Sequence, residues 1–172
     1  LFYYKHYSNR MIALTNRPGI VNLYCDNGGE YVNKEFEEYV TARGTIMHKT
    51  IPGTSTLNPV AERMNQTIMD RARALLFTCG LPDSYWNYAV LMAVYLINRS
   101  PTKSLENNIT PYEAFTGRKP DYTNLHVFGC LAFLKTSHVN KLEHRSEKCF
   151  FLGYVPNGYR LWSLERNEPI SA

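Results

Sequence analysis

The sequence has little of what marks secreted, membrane-spanning or zinc-binding proteins. Its 172 residues include four cysteines, and no two of them form the Cys-X-X-Cys pair of a zinc ribbon or a redox motif. No stretch has the pattern of a signal peptide, and no apolar run is long enough to span a bilayer. We therefore expect a reduced, intracellular protein without a disulfide framework.

Charged residues are also unevenly distributed. No Asp or Glu occurs in residues 1 to 25, and Lys and Arg never gather in a long run. The formal net charge of +4 permits a nucleic-acid partner without indicating one, because scattered basic residues serve equally well as a solvated face. The 44% hydrophobic content is enough for a core, in one domain of ordinary size or one with a small appendage.

The first fifty residues alternate between helix and strand patterns. Residues 3 to 14 contain no turn signal, the segment NRPG then breaks them, and IVNLYC alternates as a strand does. The next segment, NKEFEEYVTARG, has helical spacing and ends at Gly44, after which TIMHKT returns to strand character. This succession of strand, helix and strand predicts an α/β unit, whose ligands gather beyond the strand ends.

Asp26 stands at such a strand end and is followed by Asn27, Gly28 and Gly29. This composition fits a β-turn, in which the Asp side chain accepts a hydrogen bond from the local backbone. It also fits a carboxylate that is held at the tip of a strand to bind a metal ion. The residues around Asp26 leave both interpretations open.

A loop rich in Gly, Ser and Thr leads into a long helix. Asn58 followed by Pro59 predicts the helix start, because Asn caps helices and Pro favours the first helical position. An apolar stripe follows at helical spacing, formed by Val60, Met64, Ile68, Ala72, Leu75 and Cys79. Another face of the helix carries Glu62, Asn65, Gln66, Met69 and Arg73.

Glu62 also has two interpretations. Taken alone, it complements the positive end of the helix dipole. The 35 residues between Asp26 and Glu62, however, hold one helix, one strand and one loop, which can return the chain to the same end of the sheet. Two carboxylates brought together in this way can hold Mg²⁺ or Mn²⁺ for phosphoryl transfer.

The segment LPDSYWNYAVLMAVYLINRSP is apolar on almost every face. It predicts a buried packing or dimer-forming helix, which explains the aromatic residues better than stacking on bases does. From Asn124 onward, short strand patterns follow, with a turn at Pro156-Asn157-Gly158. The charges of this part suit either a solvated face or contacts with a DNA backbone: Lys135, Lys141, Arg145, Lys148 and Arg160, offset by Glu143, Glu147, Glu165 and Glu168.

Six motifs, in this order, resemble the integrase of copia-type long-terminal-repeat retrotransposons: YCDNGGEY, NPVAERMNQT, YLINRSPTKSL, TPYEAFTGRKP, LHVFGC and FLGYVPNGYRLW. The resemblance runs from about Val21 to about Trp162. It implies an α/β fold, with a partial, N-terminally truncated RNase H-like catalytic core in residues 1–123. A small antiparallel β module of the Src-homology-3-like type is implied for residues 124–172.

The family's catalytic triad is Asp, Asp and Glu, so the resemblance implies that Asp26 is its second member and Glu62 its third. Both would be metal ligands in a two-metal site for Mg²⁺ or Mn²⁺. The implied partners are element DNA, target DNA and further copies of the chain, and no membrane is implied. The implied location is intracellular: the nucleus as the site of action, and otherwise the cytoplasm. The candidate DNA contacts are Asn58, Asn65, Gln66, Arg73, Lys141 and Arg160.

Two departures from the family pattern affect these expectations. The chain has Leu57-Asn58-Pro59 where the family usually has Gln-Asn-Gly, which stiffens the loop before the helix. The first carboxylate of the triad is missing from residues 1 to 25, so we expect the two-metal site to be incomplete and this chain to be inactive alone. The alternative is a non-catalytic remnant or recruited protein that acts in DNA binding or self-association.

Overall fold

A computed structural model describes residues 1–15, 19–49, 59–135 and 145–172. The chain divides into two compact units, Leu1–Met64 and Asn65–Ala172. Among the helices of the described segments, none is both long and apolar enough to cross a membrane.

The first unit contains two helices and two short strands before the start of a third helix. These elements are α1 (Phe2–Thr15), β1 (Asn22–Cys25), α2 (Lys34–Ala42) and β2 (Ile46–Lys49). Strands β1 and β2 pair in parallel and in register, with Cys25 opposite Lys49. The predicted succession of strand, helix and strand is confirmed, and the carboxyl ends of both strands lie at the same edge.

A small core holds the first unit together. Helix α2 buries Phe36 and Val40, which lie one turn apart on the same face. The ring of Tyr4 meets the edge of the Phe36 ring at a centroid distance of 5.1 Å. The side chain of Asn33 accepts a hydrogen bond from the Phe36 backbone N–H at 2.9 Å and so caps the helix. Cys25 of β1 is also buried.

Helix α3 (Pro59–Cys79) begins where the sequence predicts, although Asn58 lies outside the described residues. The expected apolar stripe is only partly buried, because Val60 and Met64 are 79% and 46% exposed. The described core meets this helix from Ile68 onward. The spacing therefore predicts the apolar face correctly, but burial also needs a neighbouring element that packs over it.

The second unit continues with α4 (Trp86–Arg99), α5 (Pro111–Thr116) and a four-stranded antiparallel sheet. The strands lie side by side in chain order: β3 (Leu131–Lys135), β4 (Ser146–Val155), β5 (Gly158–Ser163) and β6 (Glu168–Ser171). The predicted turn joins β4 to β5, whereas the sequence pattern does not predict β6. An α/β part followed by an antiparallel β module confirms the predicted fold class. The boundary between residues 123 and 124 stays a prediction.

Helix α4 packs with one face in the core of the second unit. Ala89, Met92 and Ala93 are buried, while Trp86 and Leu91 remain exposed. The predicted packing helix is therefore confirmed for one face. The core around it also contains Phe128, Cys149, Phe151, Leu152 and Leu161.

Strand β4 carries a bulge at Leu152. Phe151 pairs with Leu161, but the next pair joins Gly153 to Arg160, so one residue is left over. The φ angle of Gly153 is +142°, which L side chains rarely adopt, so the bulge requires glycine at this position. The bulge allows two consecutive residues, Phe151 and Leu152, to be buried in one strand.

Glu147 of β4 is buried, so the solvated-face interpretation is wrong for this residue. Its carboxylate accepts a hydrogen bond from Ser163 Oγ, and a second from Arg166 Nη2 at 2.9 Å. The backbone N–H of Arg166 donates to Ser163 Oγ at 2.9 Å and closes the network. Because Ser163 and Arg166 are far from Glu147 in sequence, local pattern does not reveal the pairing.

We expect Glu147→Gln to lower the free energy of unfolding by about 1–3 kcal/mol, because hydrogen bonds to a buried charged group are lost. Urea denaturation at neutral pH measures the change. Glu165→Gln is the matched control, since Glu165 is exposed on the following turn. An equal loss in both variants would contradict a specific role for Glu147.

Candidate metal and nucleic-acid site

Asp26 follows β1 directly, and its side chain is exposed. Its Oδ1 atom accepts a hydrogen bond from the backbone N–H of Gly28 at 3.0 Å. This is the contact of an Asx turn, so the turn interpretation of Asp26 is confirmed. The described hydrogen bond uses one carboxylate oxygen, which is compatible with metal binding by the other.

A second carboxylate lies beside Asp26. A Cβ atom placed on Gly28 would stand 2.7 Å from Glu30 Oε2 and 3.0 Å from Asp26 Oδ1. The absence of a side chain at Gly28 therefore lets the two carboxylates approach each other. Sequence reasoning missed Glu30, although its position two residues after Gly28 in a tight turn is a usable signal.

The end of β2 carries positive charge next to this turn. Lys49 pairs with Cys25 across the sheet, and its Nζ atom lies 2.5 Å from Glu37 Oε1. Burial raises the pKa of the Cys25 thiol; the Lys49 charge lowers it and the Asp26 charge raises it again. Because a protonated thiol is a poor metal ligand, the carboxylates remain the ligand candidates at this edge.

One exposed face of the β1–β2 pair carries an aromatic contact that the sequence analysis did not consider. The rings of Tyr24 and His48 stack at a centroid distance of 4.5 Å and an interplanar angle of 14°. His48 Nε2 lies 2.9 Å from Asn22 Oδ1, so the ring is held at both its face and its edge. This arrangement fixes a titratable side chain one residue from the strand ends.

Glu62 lies in the first turn of α3 and is exposed, as expected. Residues 50–58, which connect β2 to α3 along the sequence, lie outside the described residues. Within the described segments, no group of three or more His, Cys, Asp and Glu side chains is arranged to hold a metal ion. The pairing of Asp26 with Glu62 therefore stays a prediction.

The candidate DNA contacts of α3 are all on its exposed surface. Asn65 and Gln66 are exposed one turn beyond Glu62. Arg73 is exposed too, but its Nη1 atom lies 2.6 Å from Asp70 Oδ1, and this pair offsets part of its charge. An arginine engaged in this way must exchange its partner to reach a phosphate.

The β module contains one described candidate for DNA contact. Arg160 of β5 lines a cavity of about 340 Å³ together with Tyr88, Pro169, Ile170 and Ser171. Lys141, like Asn58, lies outside the described residues. The DNA-binding role of these residues stays a prediction.

Comparison with protein families matches residues 130–171 to the retroviral polymerase SH3-like domain. A retrovirus-related Pol polyprotein from transposon TNT 1-94 of Nicotiana tabacum is 47% identical over 155 residues, which are 86% of this chain and 11% of that protein. The Pol polyprotein from transposon RE2 of Arabidopsis thaliana is 38% identical over 78% of this chain and 9% of that protein. The chain thus spans about a tenth of these relatives.

A shorter protein and two solved structures are also similar to this chain. An uncharacterised mitochondrial protein of Arabidopsis thaliana is 34% identical over 49% of this chain and 69% of that protein. The HTLV-2 integrase catalytic core domain in complex with magnesium has 20% identity and a TM-score of 0.45, over 62% of this chain and 64% of that one. A simian T-cell lymphotropic virus intasome chain has 16% identity and a TM-score of 0.49, over 95% and 58%.

The structural likenesses are partial, whereas the sequence relatives cover most of this chain at high identity. The family model also falls on strands β3 to β6 of the β module. The chain therefore belongs to the family of retrovirus-related Pol polyproteins of plant transposons.

Proposed function

We propose that this chain forms part of an integrase that inserts element DNA into target DNA by metal-dependent phosphoryl transfer. Water or a DNA 3′-hydroxyl attacks a phosphodiester; a new P–O bond forms, and the bond to the leaving oxygen breaks. The observation that carries the proposal is Asp26, an exposed carboxylate directly beyond the end of a parallel strand. Such strand ends are where α/β folds gather their ligands.

The chemistry of the side chains fits a divalent ion. Asp26 and Glu62 would hold Mg²⁺ or Mn²⁺, and Glu30 lies close enough to Asp26 to act as a further ligand. When bound, such an ion activates the attacking oxygen and stabilises the leaving oxygen. The triad's first carboxylate would have to come from elsewhere in the parent polyprotein.

DNA is the proposed partner, and its backbone the proposed contact. Asn65, Gln66 and Arg73 on α3 and Arg160 on β5 are the described candidates, and Asn58 and Lys141 are proposed with them. One neighbouring structure is a trimeric integrase core and another an intasome, which supports a proposal of self-association here. The proposal also includes membership of the copia group and action in the nucleus. It places the domain boundary between residues 123 and 124.

A second candidate function is self-association without catalysis. It is favoured by Phe77, whose side chain is 92% exposed on α3. Removing a large apolar side chain from water lowers the free energy, so an exposed Phe77 favours association with another surface.

Two substitutions at Asp26 separate its turn role from its metal role. Asp26→Ala removes the acceptor for the Gly28 N–H and should cost about 0.5–1.5 kcal/mol of stability, whereas Asp26→Asn keeps an acceptor oxygen and should cost less. Both should lose the increase in melting temperature that Mn²⁺ gives the wild type. Thermal unfolding with and without Mn²⁺ measures both effects.

Glu35→Gln is the matched control for Asp26, because it removes one exposed carboxylate from the first turn of α2. It should retain the Mn²⁺ response of the wild type. If Asp26→Asn also retains that response, Asp26 is a turn residue and not a metal ligand.

Glu62→Gln distinguishes a helix-dipole role from metal binding. If Glu62 only complements the helix dipole, the substitution should cost a few tenths to about 1 kcal/mol without metal. If Glu62 lies near Asp26, the metal-free protein should be unchanged or more stable, because repulsion between like charges is removed. We expect the second result, together with a smaller gain from Mn²⁺.

Thermal unfolding of the two proteins with and without Mn²⁺ gives the answer. A variant that is less stable without metal, yet gains as much from Mn²⁺ as the wild type does, would exclude Glu62 as a ligand.

Binding to duplex DNA should weaken steeply as salt rises, because Lys and Arg release counterions from phosphates. Arg160→Gln should reduce the slope of log affinity against log salt by about 0.9 if it contacts one phosphate. Arg118→Gln is the control, since Arg118 is exposed at the end of α5 and outside the proposed contacts. Fluorescence anisotropy over a salt series measures the slopes, and an affinity that does not change with salt would reject backbone binding.

A further inference from the structure

Strand β3 lies at one edge of the four-stranded sheet of the second unit. Among the described strands its one neighbour is β4, so its other edge presents backbone N–H and C=O groups. Edge strands are commonly protected against pairing by lysine, proline or a bulge. The sequence of β3, LAFLK, contains no proline, and its one charged residue is Lys135 at the last position. Most of the strand therefore lacks this protection.

Two large apolar side chains of β3 face solvent. Leu131 and Phe133 are 53% and 59% exposed. Ala132 and Leu134, which alternate with them, pack against the core of the unit. A solvated face of an antiparallel sheet usually carries polar side chains at the outward positions. An apolar outward face beside an open edge is instead typical of a surface that another chain covers.

Strand β4 extends this surface. Phe150 and Lys148 are the ladder partners of Leu131 and Phe133, so the four side chains lie on the same face of the sheet. Lys135 comes two residues after Phe133 and is on that face too. These five residues form the β3 patch, which combines apolar side chains with positive charge.

The lysines of the β3 patch have no carboxylate partner within the described segments. The ion pairs there involve other basic residues: Lys34, Lys49, Arg73 and Arg166. Glu147 precedes Lys148 in β4, but it is buried and paired with Arg166. Lys135 and Lys148 therefore place positive charge beside exposed apolar side chains, which favours an acidic partner.

We propose that the β3 patch binds an acidic, extended segment of another protein, which adds to the open edge of β3 as a further strand. The backbone of the segment pairs with β3, and its alternate side chains lie over Leu131 and Phe133. Apolar side chains suit these two positions, and a carboxylate suits the position near Lys135 and Lys148. None of these residues is proposed as a metal ligand or a DNA contact, so the inference goes beyond integration.

Other occupants fit the β3 patch less well. A DNA backbone would pair with the lysines but would leave Leu131 and Phe133 without apolar contacts. A second copy that paired through the same strand would bring both lysines of each copy to one face, where like charges repel. A basic peptide would meet the same repulsion. An acidic segment satisfies both the apolar and the charged part of the patch.

The probe is a synthetic peptide of about eight residues that alternates valine with threonine and carries a pair of glutamates at one end. It is made with the glutamates at either end, because an added strand can run parallel or antiparallel to β3. One control peptide has lysines in place of the glutamates. Another has proline at a central position, which removes a backbone donor that strand addition needs.

We expect one of the acidic peptides to bind residues 1–172 at least about tenfold more tightly than its lysine version. The proline peptide should not bind at about millimolar concentration. Bound peptide should slow hydrogen exchange of the β3 amides but not of the β6 amides, which lie at the opposite edge of the sheet. Equal affinity for the acidic and lysine peptides, binding of the proline peptide, or equal protection of β3 and β6 would each overturn the proposal. So would a failure of both acidic peptides to bind.

Substitutions test the residue assignment. Phe133→Ser should weaken binding of the acidic peptide by about tenfold or more, because it removes an exposed ring from the β3 patch. Phe115→Ser is the matched control, since it removes an exposed ring from α5 and should change binding less than about twofold. Equal losses in the two variants would overturn the patch.

A charge reversal gives an independent test. The double substitution Lys135→Glu and Lys148→Glu should make the lysine peptide bind more tightly than the acidic one. If Phe133→Ser does not fold by circular dichroism, this reversal decides the assignment, and an unchanged preference for the acidic peptide would overturn it.

Competition experiments separate the acidic segment from the other occupants. Saturating acidic peptide should change the affinity for duplex DNA by less than about twofold, and light scattering should show no dimer that the peptide dissociates. Displacement of the peptide by duplex DNA, or a dimer that dissociates when the peptide binds, would overturn the proposal. Peptide binding without any duplex binding would reject the proposed contact with DNA and support the β3 patch. Salt-dependent duplex binding without peptide binding would do the reverse.

Discussion

Packing of one face of α4 in the core beside the four-stranded sheet is the constraint on which the second unit depends. Ala89 and Ala93 are completely buried, which is possible because small side chains let a helix approach its neighbours closely. The bulge at Leu152 contributes from the side of the sheet, because it allows two consecutive residues of β4, Phe151 and Leu152, to be buried. Toward its end, the same helix carries the larger Tyr95 and Arg99, which border a cavity there.

At Asp26, the turn contact that the structure shows is compatible with the proposed metal role, because the two would use different carboxylate oxygens. The Asx turn needs one acceptor, and Oδ1 supplies it to Gly28. The turn thereby holds the carboxylate in solvent beyond the strand end, at the edge where α/β folds gather their ligands. Glycine at position 28 also brings Glu30 close, so one tight turn concentrates negative charge. A divalent cation would offset the repulsion between these carboxylates, which is the physical basis of the proposed metal role.

The sequence predicts those elements whose evidence is local. Strand β1 and helix α2 each show their own periodicity, and the start of α3 is marked by Pro59. Strand β6 is short and contains Pro169, which removes the usual strand signal. The burial of Glu147 and the ring contacts of Arg99 depend on residues distant in sequence or on the packing of separate elements, so periodicity cannot reveal them.

The described arginines differ in what holds their charge. Arg73 is paired with Asp70, and Arg166 with Glu147, so a carboxylate offsets part of the charge of each. Arg99 is held instead by the faces of two tyrosine rings. An aromatic quadrupole stabilises a cation without cancelling its charge, so Arg99 is positioned and still attracts an anion.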